Sequence, residues 1–214
     1  MTRNGAIGLV VALVAMALVP LGLKNYGIYL LTLWCVYSIV AMGLNQTVGY
    51  AGLVSLGQAA FFGIGAYTAA LLMKLGWPFL AVVHAAAIGC FFVGLIVGFP
   101  ALRVQHHFLA FAIGAAFGGV AGVYFVSLVE FIEPRPFHVS ASLMMLLMVI
   151  VGGSGRFFGP VLGAGIVMLL PERLRFMQSW YLVIFGFAVV APMVWVPGGL
   201  LAMPARFKAR GAAR

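Results

Sequence analysis

Long apolar stretches separated by only a few polar residues fill almost the whole of this chain. Eight of them can be marked, at about 6–23, 26–45, 49–73, 78–102, 108–132, 141–153, 157–170 and 180–196. A helix that crosses the hydrocarbon layer needs roughly 20 apolar residues. These stretches are apolar on every face, whereas strands of a membrane barrel alternate between polar and apolar positions. The pattern predicts an all-α, polytopic transmembrane helical bundle.

Two parts of this pattern leave alternatives open. The sixth and seventh stretches are short and are joined by V-G-G-S-G-R-F-F-G-P, so they form either two thin spans or a broken pair that turns within the membrane. Near the N-terminus, Arg3 and the triplet Ala15-Met16-Ala17 resemble a cleaved signal peptide. The apolar run continues to Leu23, which is long enough to span, and we therefore expect an uncleaved first helix.

Composition excludes a soluble protein and leaves room for one membrane domain. Of the 214 residues, 65% are hydrophobic and 7% are charged, which is too little polar surface to cover a soluble core. The connections are so short that no soluble domain fits between the stretches. We expect a single domain over 1–214, with membrane segments over 1–197 and a basic cytoplasmic tail over 198–214.

The basic residues set an orientation and do not indicate a nucleic-acid partner. They stand singly at the ends of apolar stretches, where they anchor spans and follow the positive-inside bias. With both termini in the cytoplasm, seven of the twelve Lys and Arg lie inside, and five lie outside together with all three Glu. We therefore predict cytoplasmic N- and C-termini.

Glycine is concentrated in two places. Eleven of the 28 glycines fall within 49–65 and 152–165, and glycine in a span permits close packing or marks a broken helix that faces a cavity. A third group, Gly114, Gly118 and Gly122, recurs every four residues, which is typical of plain helix packing.

The two Gly-interrupted segments, 49–67 and 152–164, are the predicted substrate pathway, because transporters interrupt their helices where they bind a solute. Polar groups sunk in a membrane need partners, and the alternative is that they bond neighbouring helices. The candidate pathway residues are Asn45, Gln46, Gly49, Gly52, Ser55, Gln58, Tyr67, Gly152, Gly153, Gly155 and Gly159.

Other reactive residue types carry less weight. Cys35 and Cys90 lie within apolar stretches and behave as small hydrophobes, so no metal site is expected. His84 lies within a span, and we expect it to bond a carbonyl group. Ser154 lies in a G-x-S-G sequence like that of rhomboid-type intramembrane proteases, but no histidine follows His138 to act as the base that this family places after the serine.

Several motifs together resemble one family. The stretch G-Y-A-G-L-V-S-L-G-Q-A-A-F-F-G-I-G-A-Y at 49–67 closely resembles the signature of one of the two permease types in branched-chain amino-acid ABC importers. G-F-P-A-L-R at 98–103, V-G-G-S-G-R-F-F-G-P-V-L-G-A at 151–164 and W-V-P-G-G-L-L at 195–201 follow in the family's order. The resemblance covers nearly the whole chain.

The chain departs from the family pattern after its fourth stretch. Family members carry a further pair of spans there, followed by a cytoplasmic loop that docks on the ATPase subunit. Here the helix from Phe108 begins like the family helix before that pair and continues like the helix after the loop. We infer an in-frame internal deletion at the tetrapeptide Leu109 to Ala112, which removes two spans and the docking loop.

The resemblance implies a permease subunit for leucine, isoleucine or valine in the bacterial plasma (inner) membrane, and relatives that carry urea, amides or other amino acids keep those solutes open. Implied partners are a second permease subunit, two cytoplasmic ATPase subunits and an extracytoplasmic substrate-binding protein. No cofactor is expected, because ATP is used by the partner subunits and the chain lacks G-x-x-x-x-G-K-[ST]. The deletion raises the alternative of a transport-inactive remnant or a structural membrane partner.

Overall fold

Six α-helices account for most of the residues that the structure describes. The computed structural model describes residues 25–53, 55–102, 108–132 and 137–174. The helices are α1 (Asn25–Asn45), α2 (Gln58–Lys74), α3 (Phe79–Leu102), α4 (Phe108–Val129), α5 (Val139–Gly152) and α6 (Gly159–Leu174). This part of the chain contains no strand, and the predicted all-α class is confirmed. The predicted stretches 6–23 and 180–196, the tail, and the loop with Glu133 and Arg135 lie outside the described residues.

The helices differ in length in a way that matters for the membrane. Asn25–Tyr50, Phe79–Phe99 and Phe108–Val129 are long and apolar enough to cross a bilayer. Helix α5 has 14 residues and α6 has 16, or about 21 and 24 Å, against roughly 30 Å of hydrocarbon. The sixth and seventh predicted stretches are therefore two separate short helices joined by a turn.

The predicted stretch at 49–73 is helical only in its second part. After α1 the backbone continues as a π-helical segment, Gln46–Tyr50, and α2 does not begin until Gln58. Three glycines, Gly49, Gly52 and Gly57, disfavour a regular helix between these points, because glycine loses the most backbone freedom on ordering. The predicted interruption by glycine is confirmed at this point.

Helix α4 lies at the centre and packs against α1, α2 and α3. Glycine allows its backbone to approach theirs: a Cβ added at Gly65 would stand 2.0 Å from the carbonyl oxygen of Gly119, and one at Gly122 would stand 2.1 Å from that of Phe62. A Cβ at Gly114 would stand 2.7 Å from the carbonyl oxygen of Gly43. The packing role predicted for the glycines of this helix is confirmed.

A buried aromatic cluster fills the space between α1, α2, α4 and α5. Phe62 is fully buried, and its ring lies 5.1 Å from that of Phe125 and 5.7 Å from that of Phe137. Apolar side chains surround it on all sides, among them Val40, Leu44, Met145, Met148 and Val149. Because lipid is as apolar as this core, tight van der Waals contact, rather than exclusion of water, holds these helices together.

Consecutive helices run antiparallel, so the connections alternate between two ends of the bundle. The connections 51–53 with 55–57, and 153–158, lie at one end, where α3 also ends and α4 begins; we call this the turn end. The opposite end holds the start of α1, the α2–α3 turn and the end of α6, where the Tyr26 hydroxyl donates a hydrogen bond to the Glu172 carboxylate. The predicted orientation, with successive connections on opposite sides of the membrane, requires that the connections alternate in this way. Which end of the bundle faces the cytoplasm stays a prediction.

Substitution at a glycine crossing is expected to destabilise the bundle. Gly65→Ala places a methyl group against the Gly119 backbone, and neither helix can move away easily. We expect the free energy of unfolding to fall by about 1–3 kcal/mol, which a lower melting temperature in detergent would show. Gly89→Ala on α3 is the matched control, because an added Cβ there meets nothing within 4 Å. Equal melting temperatures for the two variants would contradict this packing.

Candidate functional site

Two glycine-rich connections meet at the turn end. We call residues 49–53 and 55–57, from the last part of the π-helical segment to the start of α2, the first glycine turn, and residues 153–158, between α5 and α6, the second glycine turn. The backbones touch at Gly49 of the first turn and Gly155 of the second: a Cβ added at Gly49 would stand 2.3 Å from the Gly155 nitrogen. Segments separated by about a hundred residues in the sequence are thus in backbone contact. That they form one solute pathway stays a prediction.

The side chain of Asn45 joins the two segments. It lies at the end of α1 and is only 2% exposed. Its Nδ2 group donates to the carbonyl oxygen of Arg156 at 3.2 Å, and its Oδ1 atom accepts from the backbone N–H of Gly155 at 2.9 Å. A carboxamide offers a donor and an acceptor side by side. Here the two groups bond the backbones of two adjacent residues of the second glycine turn.

The π-helical segment explains how α1 gives way to the first glycine turn. The Ala51 N–H donates to the Gln46 carbonyl oxygen at 3.2 Å, five residues back, and the Leu53 N–H donates to the Thr47 carbonyl oxygen at 2.9 Å. Gly52 then adopts φ = +69°, where an added Cβ would be strained. Single π-helical turns inside transmembrane helices are common at functional sites.

The second glycine turn depends on glycine in two different ways. Gly153 and Gly155 adopt φ values of 111° and 75°, which other residues rarely adopt. Gly152 and Gly159 instead allow α5 and α6 to touch: a Cβ at Gly152 would stand 1.8 Å from the Gly159 carbonyl oxygen. Two of the four predicted pathway glycines in this segment therefore shape the turn, and two close the helix pair behind it.

Gln58 makes the interhelical hydrogen bond that was the structural alternative to solute binding. It is 2% exposed, and its Nε2 group donates to the Gly114 carbonyl oxygen on α4 at 2.9 Å. Next to it, the Ala59 N–H at the start of α2 donates to Ser142 Oγ on α5 at 2.9 Å. Sequence reasoning missed Ser142, because one serine in an apolar helix gives no signal until its partner helix is known.

Two predicted residues stand apart from this polar network. Ser55 lies in the first glycine turn, where its hydroxyl accepts from the Gly57 N–H at 3.4 Å. Tyr67 lies nine residues beyond Gln58 along α2, or about 14 Å. It is 45% exposed and its ring lies 5.9 Å from that of Phe137. The structure does not bring Tyr67 to the glycine turns.

The site offers backbone groups rather than unpaired side chains. Every buried polar side-chain atom in the described part of the chain has a hydrogen-bond partner. By contrast, the amides of Leu56, Phe157 and Phe158 donate no hydrogen bond within the described residues. Helices α5 and α6 are shorter than the hydrocarbon layer, and at membrane depth irregular backbone is tolerated only against protein or a water-filled cavity.

Alternative chemistries gain no support from the described residues. No three His, Cys, Asp or Glu side chains there come together as metal ligands. His84 faces outward on α3 and its Nδ1 atom contacts the Leu80 carbonyl oxygen at 2.7 Å, as expected for a histidine that bonds a carbonyl group. Ser154 is exposed, and no hydrogen bond joins it to a histidine in this part of the chain.

Known proteins similar to this chain are transport permeases. A model of the family described as "Branched-chain amino acid transport system / permease component" matches residues 26–109 and 105–194. The high-affinity branched-chain amino acid transport system permease protein LivM of Salmonella typhimurium is 35% identical over 94 residues, and so is LivM of Escherichia coli K12. Each match covers 44% of this chain and 22% of the relative. No solved structure matches the chain significantly.

Water is expected to reach the second glycine turn. In a background of Cys35→Ala and Cys90→Ala, a Ser154→Cys thiol should react with a charged, water-soluble thiol reagent, because the reactive thiolate forms only where water solvates it. Leu162→Cys is the matched control: it is 43% exposed but lies on the apolar outer surface of α6, where lipid replaces water. We expect at least tenfold slower labelling at 162, and an unreactive Ser154→Cys would contradict a solvated site.

Proposed function

Because the chain belongs to the family of permease components of branched-chain amino acid transport systems, we propose that it is a membrane subunit of an ABC importer and lines part of the pathway for leucine, isoleucine and valine. The family consists of transport permeases rather than enzymes. The observation that carries the proposal is the meeting of two glycine turns at the end of helices too short to span the membrane.

The backbone at these turns suits a zwitterion with an apolar side chain. Amide N–H groups before α2 and α6 can receive a carboxylate, because helix N-termini carry a partial positive charge. Nearby carbonyl oxygens can receive an ammonium group. The exposed side chains of Tyr50, Leu56, Phe157 and Phe158 offer an apolar surface for the substrate's side chain. Neutral backbone groups bind a zwitterion only weakly, which a pathway needs if the solute is to leave again.

The chain requires partners to drive transport. We propose that it pairs with a second permease subunit in the bacterial inner membrane, with both of its own termini in the cytoplasm. Two cytoplasmic ATPase subunits would supply ATP hydrolysis, and an extracytoplasmic binding protein would deliver the solute. No ATPase motif is present in the sequence, so the chain itself would bind no nucleotide. Urea, short amides and other amino acids are alternative solutes.

A second candidate function is that of a transport-inactive family member or structural membrane partner. The observation that favours it is that the family model matches the chain in two separate segments, which overlap at residues 105–109. There, only five residues separate α3 from α4, a distance of about one and a half helical turns. An ATPase moves a permease only through physical contact, and this connection is too short to form a docking helix. An internal deletion at this position would account for both features.

Uptake of labelled leucine separates the two candidates. The gene is expressed with its neighbouring transport genes in a host that lacks branched-chain amino-acid uptake, and insertion of the chain is checked by immunoblotting. Uptake that depends on this chain supports the permease. A stable, inserted chain without uptake supports the inactive family member and contradicts the permease.

Within an active transporter, Gly155→Ala should lower leucine uptake about tenfold. A methyl group at φ = 75° is strained, and it would stand 3.2 Å from the Gly49 carbonyl oxygen, so the contact between the two turns must shift. Gly89→Ala, on the open face of α3, should keep normal uptake. Undiminished uptake by Gly155→Ala, at equal expression, would show that the turns do not line the pathway.

A further inference from the structure

The sequence alone makes Asn45 a candidate solute ligand, but its surroundings assign it a different task. Both polar groups of its carboxamide are engaged by the backbone of residues 155 and 156, and the side chain is almost fully buried. A solute could bind this amide only by displacing the second glycine turn. The geometry points to a positioning residue: we propose that Asn45 fixes the two glycine turns face to face without touching the solute.

Two hydrogen bonds from the Asn45 amide join the end of α1 to the second glycine turn, and the backbones of Gly49 and Gly155 touch beside them. The glycines supply no side chains that could interlock. The van der Waals attraction between two backbones is weak for so few atoms, so the two hydrogen bonds of the amide contribute much of the attachment.

The α5–α6 pair is attached to α1 at two further points, which confines the effect of Asn45 to the turn end. The Trp34 indole N–H donates to the Val161 carbonyl oxygen at 2.9 Å, and Tyr26 donates to Glu172 at the opposite end. Both bonds remain when Asn45 is replaced. We therefore expect a bundle that still folds, with its two glycine turns no longer in fixed register.

Electron paramagnetic resonance can measure this separation directly. Nitroxide labels are placed at Tyr50→Cys and Ser154→Cys, two exposed positions that flank the Gly49–Gly155 contact. The full chain carries Cys35→Ala and Cys90→Ala and is reconstituted in liposomes. With Asn45 present, the close labels should give strong dipolar broadening. In Asn45→Ala the broadening should fall at least twofold, because the turns move apart.

Ser38→Ala is the matched control, since Ser38 is a buried polar side chain on the same helix whose hydroxyl donates only to its own helix, at the Trp34 carbonyl oxygen. It should keep the broadening unchanged. Should Asn45→Ala not insert, Asn45→Gln serves instead, because it keeps the amide but moves it too far to reach both groups. Broadening in the Asn45 variants equal to that of the parent would overturn the proposal.

The transport consequence rests on the proposed function and has its own readout. In an active importer, loss of two neutral hydrogen bonds at the turns should raise the apparent KM for leucine about tenfold and lower the maximal rate less, since the solute meets misplaced backbone groups. Unchanged KM beside separated turns would place the solute elsewhere and contradict the pathway, while the positioning role of Asn45 would stand on the spectroscopic result.

Discussion

The structure depends on one constraint: in the hydrocarbon layer every backbone N–H and C=O group must find its partner within the protein. Regular helices meet this constraint by themselves, so each interruption of a helix must be compensated by something else. At the end of α1 the compensation is a π-helical turn, and in the second glycine turn it is the Asn45 amide, which bonds the Gly155 N–H and the Arg156 carbonyl oxygen. At the start of α2 it is the Ser142 hydroxyl of a different helix. The polar side chains of this membrane bundle are thus concentrated where the backbone leaves its regular path.

Glycine has two opposite effects in the same molecule. In α4 it brings helix backbones into contact, because no side chain stands between Gly65 and Gly119. In the two glycine turns it permits left-handed backbone at Gly52 and Gly155 and leaves amides without helical partners. Glycine thus serves close packing of helices in the centre of the bundle and irregular backbone at its turn end.

The short connection between α3 and α4 lies where the two segments of the family match overlap. Helix α4 begins directly after it and packs on three neighbouring helices. Its glycines contact Gly43 of α1, Gly65 of α2 and Cys90 of α3. Under the internal deletion that we propose, α4 would combine parts of two family helices and would still fit the bundle. Such a chain would lose the contact through which an ATPase moves a permease, so folding and energy coupling would be separate questions.

The sequence by itself determined the class of protein, the positions of the helices and the two interruptions, because hydrophobicity and glycine content act locally. The boundaries of α1, α3 and α4 follow directly from their apolar stretches. Only the tertiary structure decided which interruption meets which, and that Asn45 bonds the second glycine turn whereas Gln58 bonds α4. Both residues are amides in one polar segment, and sequence reasoning treated them alike. Their partners lie on other helices, and a hydrogen bond between distant segments exists only once packing has brought donor and acceptor within about 3 Å of each other.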